Sequence, residues 1–522
     1  MMGKKGLKRC AGIFLLVLLL MPLPAGCGKT AETEEREISM PAENLRVIMM
    51  ENEPEDGMDE LYEQLDALTV PELGCTVRFE FIPWGNERKQ LNIAVASGEY
   101  DIIPGGNFSD YLIQISHNAF LALNEYLYLV PDLVEHYKYY SDDYLEGYEI
   151  NGKLYGIPQF GGGSLMNDSE GFFYREDLRR KWGCPEITSL ETMEEYLYAA
   201  KSDPQYRDKP LITDNRIWQS LWILLAGDKY LEISSIQEMP FIVVPADDPG
   251  TIVNRLETPE FRKVLEYLKK WKEDGILEAD MLSLSDNEGE RGLELMNNED
   301  KPCETNVPIW SVTANYIKSL TVNHPEWEYG FFTYISANKR FFMGDTALGS
   351  ALYVSSRTKY PETAVKLLEK VHTDQRYYDL FLYGVDGIHY HNMDGKISYE
   401  GISYSNKYGM TVAGDALLNR EEVPVNEQWE EVTEQTERWR EKIYPQAEKN
   451  PLDGFEFFLD GLDMEIENME TVRQQYFQPL VCGYYSDEAD LEQVIEKLEE
   501  AGLEKYMEVA EEQIEEKLSE TE

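Results

Sequence analysis

Residues 45–50 form an almost unbroken apolar run, the pattern of a strand buried on both faces. A helical period follows over residues 58–68, and Val77, Phe79 and Phe81 then alternate with polar neighbours across 76–82, which predicts a second strand. Leu91, Ala94 and Val95 recur at helical spacing in a helix over about 86–96, and Gly98 stands where a left-handed helix stop needs a residue without a Cβ. Residues 101–103 are too few for a helix and read as a short buried strand. Pro104, Gly105 and Gly106 are expected to break it and to leave Asn107 and Phe108 on a loop. Strand, helix, strand, helix, strand opens a parallel, right-handed α/β sheet. Ligands bind such sheets beyond the carboxyl ends of the strands, where Asn107 and Phe108 are expected to lie.

Segments rich in Tyr and Leu lead to Tyr148, and a turn at Asn151-Gly152-Lys153 precedes a short extended run over 154–158. Gln159 and Phe160 then open a stretch with three successive glycines, Gly161 to Gly163. Such a stretch reads either as a closely approached backbone or hinge, or as a plain loop. Residues 171–174 predict a strand feeding a short helix at Arg175-Glu176-Asp177-Leu178. Thr188 with Glu191 predicts a capping box for a helix with Leu190, Met193, Tyr196 and Leu197 on one face. Trp218 and Trp222 share a helical face just before Gly227, a spacing that also suits a core stripe. Thr258 and Pro259 open a helix with Phe261, Val264, Leu265, Leu268 and Trp271 inward and Gly275 as its stop. Residues 284–304 are polar and Glu-rich and predict a surface excursion. Val307 to Trp310 enters a helix, strands follow near 328–334 and 344–354, and Pro361 opens a further helix. One long amphipathic helix is expected over 488–519, docked on the body because its outer face is acidic.

Composition narrows the function classes. At 522 residues and 43% hydrophobic content the chain suits two or three compact units and is not disordered. A formal charge of −50 opposes nucleic acid and anionic lipid surfaces. Lys4, Lys5, Lys8 and Arg9 precede an apolar core over 11–21 and the small residues Pro24-Ala25-Gly26 before Cys27, the layout of an export signal too short to span a bilayer. Residues 28–41 read as a flexible tether. Cys75, Cys184, Cys303 and Cys482 are scattered without a Cys-x-x-Cys pair, which argues against zinc or redox chemistry and leaves three disulfide connectivities open. His389 and His391 have no third partner in view and read as structural. No Gly-x-Ser-x-Gly, His-Glu-x-x-His or phosphate loop is present.

Several of these stretches together resemble bacterial extracellular solute-binding proteins of ABC importers. They are Ser97-Gly98-Glu99-Tyr100-Asp101-Ile102, Asn151-Gly152-Lys153 with Tyr155-Gly156-Ile157-Pro158, the Arg175-x-Asp177 helix, and the block from Val307 to the Pro361 helix. Leu382 to Tyr390 and Ala501-Gly502-Leu503 narrow the resemblance to the LplA-like lipoprotein group, and Pro24-Ala25-Gly26-Cys27 resembles a lipobox. The resemblance implies a two-lobed α/β fold of the type II periplasmic-binding-protein kind, with hinge crossovers and extra C-terminal helices. It implies a signal peptide over 1–26 and a tether over 27–41. The N-lobe would comprise 42–155 plus about 345–405, and the C-lobe 156–344 plus about 406–522. It further implies a monomer with Cys27 lipidated, facing outward from the cell membrane and touching it only through that lipid.

The expected ligand is a carbohydrate, an oligosaccharide by preference, because indole and phenol rings cover sugar C–H faces while Asp, Asn and Gln pair with hydroxyls. By resemblance the binding residues are Trp84, Asn107, Phe108, Gln159, Phe160, Trp218, Trp310, Asp345 and Phe455, with no cofactor, metal or catalytic residue. The partners are membrane permease subunits. A peptide or amino-acid receptor, for which Arg175 and Asp177 could grip ligand termini, and an exported glycoside hydrolase are the alternatives.

Overall fold

The computed structural model describes residues 43–521, apart from residues within 85–86, 107, 139–147, 151, 159–169, 232–238, 285–288, 344–349, 407–416, 425 and 453–460. Its first sheet has five strands. Glu43–Met49 lies between Cys75–Phe81 and Ile102–Gly106, parallel to both, and the next neighbours are Ser350–Val354 and then Gly156–Pro158, paired antiparallel. The helices Met58–Leu73 and Glu87–Ser97 make the parallel crossovers. The first runs five residues beyond its predicted end, through Pro71, to a left-handed Gly74.

Pro104, Gly105 and Gly106 do not break the third strand: they continue it, each opposite a residue of Ser350–Val354. The cause is a side chain some 250 residues later in sequence. A Cβ on Gly105 would sit 2.8 Å from the Tyr353 ring, so only glycine lets the two strands pair there.

Two large hydrophobic cores result. One gathers Val47, Val77, Ile103, Ile157, Leu352, Leu368 and their neighbours, from residues 45–157 and 351–408. The other gathers Phe172, Trp222, Phe261, Phe332, Phe477 and Leu498, from residues 172–343 and 443–514. Its sheet is Cys303–Pro308, Glu170–Arg175 and Tyr329–Thr333, all antiparallel. The chain therefore crosses from the first core to the second after Pro158 and returns before Ser350.

The Pro259–Glu273 helix forms as expected: the Thr258 side chain accepts from Phe261 N at 3.2 Å, and the five predicted inward residues are fully buried. Elsewhere the details differ. Ser189, rather than Thr188, caps the Leu190–Ser202 helix, and Thr192 closes the box. The polar stretch 284–304 is no surface excursion, because Gly289–Asn297 is helical and Lys301 and Glu304 are almost fully buried as a pair, Nζ to Oε2 at 2.8 Å. The predicted terminal helix is two, Glu488–Ala501 and Leu503–Thr521, because Gly502 at φ 104° takes a conformation that turns the axis. Both pack on the Asp463–Val472 helix, with Leu491, Leu498, Tyr506, Ala510 and Ile514 inward.

His389 is structural. It is fully buried, its Nδ1 accepts from Val385 N at 2.9 Å, and its Nε2 lies 2.9 Å from the carbonyl of Asp56. Cys75, Cys184, Cys303 and Cys482 are all free thiols, and burial pushes those of Cys75 and Cys303 up to about 12. No described helix is long and apolar enough to cross a membrane, and no group of three or more metal-binding side chains gathers among the described residues.

Candidate functional site

The parallel strands of the first sheet all end at one edge. Ser350 lies opposite Gly106 and Ala351 opposite Pro158, so the chain departs for the second core and comes back at that same edge. In the second sheet the corresponding end carries Glu170, paired with Pro308, and Gly171, paired with Thr333. An open α/β sheet accepts ligands beyond the carboxyl ends of its strands, and in the first sheet that is the end where the chain crosses between the cores.

On the first side, the strand Cys75–Phe81 delivers Trp84 and the strand Ile102–Gly106 delivers Phe108. Their rings meet edge to face, centroids 5.2 Å apart at 74°. Trp84 is 37% exposed, the one exposed tryptophan among the described residues. Behind the pair, the Asp110 carboxylate accepts from Arg88 Nη1 at 2.6 Å and from Asn92 Nδ2, and Gln114 Nε2 donates to Asn92 Oδ1 at 2.7 Å. That network fixes the Glu87–Ser97 helix against Tyr111–Ser116. The Arg88 charge also reaches Glu470 on the Asp463–Val472 helix of the other core. Burial pushes the Glu470 carboxyl up, but the Arg473 hydrogen bonds, with Arg88 assisting, hold it below the usual range.

On the second side, the polar residues before the apolar Ile217–Ala226 helix fold back onto the sheet end. Arg216 donates to Asp214 from Nε at 3.2 Å and Nη2 at 3.0 Å, and Asp214 Oδ2 also accepts from Asn306 Nδ2 at 2.9 Å. Asn306 in turn bonds Ser220 through its side chain, and its backbone N–H donates to Tyr334 Oη at 3.2 Å. Beneath them Lys301 Nζ donates to Thr213 Oγ1 at 2.9 Å and to Glu304. Glu170 lies beside this group. Burial raises its carboxyl to about 7, with nearby Arg216 pulling it down and Asp214 pushing it up.

The residues predicted for the site divide into three sets. Trp84 and Phe108 stand together at the sheet edge. Trp218 and Phe455 do not: they are 5% and 2% exposed and belong to the second core. The Trp218 ring packs edge-on against Phe477 at 5.5 Å and Phe261 at 6.5 Å, and Trp222 lies under the Arg255 guanidinium at 4.7 Å. Asn107, Gln159, Phe160 and Asp345 lie outside the described residues, as do the Gly161–Gly163 stretch, the tether and Cys27; Trp310 falls on the short Ile309–Ser311 helix, and its side chain lies outside them too. Arg175 and Asp177 are engaged with each other at 2.7 and 2.6 Å, with Arg175 stacked 3.5 Å over Trp327, so they scaffold the distal end of the sheet. Sequence reasoning missed Glu170, Asp214, Arg216 and Arg88. The triplet Asp214-Asn215-Arg216 immediately before an apolar helix was the available signal.

A sequence profile described as bacterial extracellular solute-binding protein matches residues 72–387, more than half of the chain. The chain belongs to that family. A second profile, a domain of unknown function, covers residues 451–518 of this solute-binding protein, the C-terminal helices. A carbohydrate ABC transporter substrate-binding protein of Streptococcus pneumoniae serotype 4 is 23% identical over 509 residues, 95% of this chain and 96% of the relative.

The crystal structure of an N-glycan transport solute-binding protein from Streptococcus pneumoniae in complex with Man1GlcNAc superposes with a TM-score of 0.69 at 21% identity, covering 91% of this chain and 99% of the other. An alginate-binding protein without calcium ion superposes at 0.63 with 14% identity, covering 92% and 99%. The fold is thus the two-lobed one of the solute-binding family.

Proposed function

We propose that this solute-binding protein captures an extracellular oligosaccharide between its two lobes and presents it to the membrane permease subunits of an ABC importer. The observation that carries the reading is the Trp84–Phe108 pair, an exposed aromatic platform at the edge where the chain crosses between cores. Aromatic faces cover the C–H patches of a pyranose, and the amide and carboxylate groups on the opposite wall suit its hydroxyls. The carbohydrate named for the S. pneumoniae relative, and the glycan in the structure that superposes well, support the same class.

The lobes follow the two cores. The N-lobe runs to Pro158 and resumes over about 350–408, because Gly156–Pro158 pairs in the first sheet and Ile157 and Tyr408 pack in the first core, which moves the expected 155/156 and 405/406 boundaries outward. The C-lobe holds the second core, over 172–343 and 443–514, with closure about the crossovers. The protein works by binding energy alone, as a monomer without cofactor and without turnover: ligand contacting both lobes favours the closed state that a permease recognises. After cleavage of the signal over 1–26, Cys27 carries the lipid that holds it at the outer face of the cell membrane, and 28–41 is the tether.

A thermal-shift screen of the protein from residue 42 onward, against mono- and oligosaccharides, amino acids and short peptides, tests this reading, since a ligand of the native state raises the midpoint. The expected result is a shift with one glycan family and recovery of that glycan intact. A shift with peptides alone removes the carbohydrate assignment, and cleavage of the glycan makes the protein a hydrolase.

A further inference from the structure

We propose that Glu170 makes the C-lobe wall of the cleft a charge filter, admitting neutral oligosaccharides and rejecting those that carry uronic or sialic acid residues. The inference rests on the carbohydrate reading above and concerns which glycans the site takes. Its basis is a local imbalance of charge. Glu170 is the first residue of its strand after the outward crossing, at the cleft end of the sheet. The groups facing it are Asp214 and Arg216 from the segment before the Ile217–Ala226 helix and the neutral phenol of Tyr334 from the turn that follows the neighbouring Tyr329–Thr333 strand.

Arg216 is the cation of this group, and it is held by Asp214 through two nitrogens. Lys301 beneath is matched by Glu304. Two carboxylates therefore face one guanidinium, and the Glu170 carboxylate, which forms no hydrogen bond among the described residues, is the unmatched one. In a half-buried wall such a charge is poorly screened. Sugar hydroxyls can donate to it, whereas a sugar carboxylate meets repulsion and loses its hydration. Burial holds the Glu170 carboxyl near neutrality, so the filter should weaken as pH falls through about 7.

The experiment is calorimetric titration of the protein with a neutral oligosaccharide identified in the screen and with matched analogues, each oxidised to a uronic acid at one residue in turn. Titrations run at pH 8 and pH 6, where those acids stay ionised. At pH 8 the neutral glycan should bind at least about tenfold more tightly than every analogue whose carboxylate reaches the C-lobe wall. The gap should narrow several-fold at pH 6, and Glu170→Gln should narrow it at pH 8 and remove its pH dependence. Equal or tighter binding of all acidic analogues overturns the proposal. So does a Glu170→Gln protein of wild-type thermal midpoint that keeps the full discrimination. Should that variant not fold, a ratio constant between pH 6 and 8 in the wild type is decisive against it. A protein that binds no glycan at all defeats the carbohydrate reading and the filter together; one that binds neutral and acidic glycans alike defeats the filter only.

Discussion

Replacing Trp84 with alanine separates a ligand platform from a packing residue. A tryptophan side chain presents roughly 150–250 Å² of contact surface, and Trp84 is 37% exposed. A ligand covering the ring thus removes about 80 Å² from water, which at about 25 cal/mol per Å² contributes about 2 kcal/mol. Trp84→Ala should therefore raise Kd about 30-fold. Its cost to the fold should be small, because the ring's described aromatic contact is the edge-to-face one with Phe108, worth about 1 kcal/mol. Titration by intrinsic fluorescence or calorimetry gives the first quantity and denaturant unfolding the second. A change in Kd under threefold in a protein of wild-type stability would refute the platform. A loss of stability above about 3 kcal/mol, of the size seen when a core aromatic is truncated, would show that Trp84 is packing after all.

Two further perturbations concern buried charge. Lys301→Met leaves the Glu304 carboxylate buried without its cation, which should cost about 3–5 kcal/mol, and Lys301→Met with Glu304→Leu should recover most of it; equal losses in the single and double variants in urea unfolding would contradict the pairing. His372, fully buried between His136 and Asp415, has no hydrogen-bond partner on either ring nitrogen among the described residues, and its Nδ1 lies 3.8 Å from Asp415 Oδ2. Burial lowers its pKa below the ordinary 6.5, with Asp415 opposing. The folded state thus binds this proton less readily than the unfolded chain, and the stability it contributes is full above about pH 6.5 and is lost as pH falls below it. Asp415, whose burial raises its pKa while the hydrogen bond with His136 and the nearby His372 bring it below the usual value, adds a second loss at more acid pH. Unfolding free energies at pH 7.5 and 5.5 should differ in the wild type and differ less in His372→Phe; an unchanged slope in the variant would place the proton elsewhere.

Much of the fold was legible because burial writes itself as periodicity. The strands at 43–49 and 75–81 and the Thr258-capped helix carry their apolar faces at the spacing their backbones impose. What failed did so where the deciding group is distant in sequence. Pro104-Gly105-Gly106 spells a strand break until Tyr353 is laid across it, and Lys301 and Glu304 spell a surface until each is seen to neutralise the other inside. The candidate site is legible in part for the same reason. Trp84 and Phe108 follow strands and so announce themselves at a sheet edge. Trp218 sits on a helix whose spacing is the same whether the face meets a ligand or Phe477, and only packing distinguishes the two. Glu170, Asp214 and Arg216 assemble across more than forty residues, and no local pattern marks them as one group.

The order of strands in the first sheet bears on biogenesis. Ser350–Val354 lies between Ile102–Gly106 and Gly156–Pro158 and joins them, yet nearly 200 residues are synthesised between Pro158 and Ser350. Until those residues emerge, the N-terminal sheet is an unfinished ribbon with Ile102–Gly106 and Gly156–Pro158 offering unpaired backbone. A chain that stalls or is clipped in that interval is an aggregation hazard, so the protein has reason to be handed along extended and to collapse only once its second half is present.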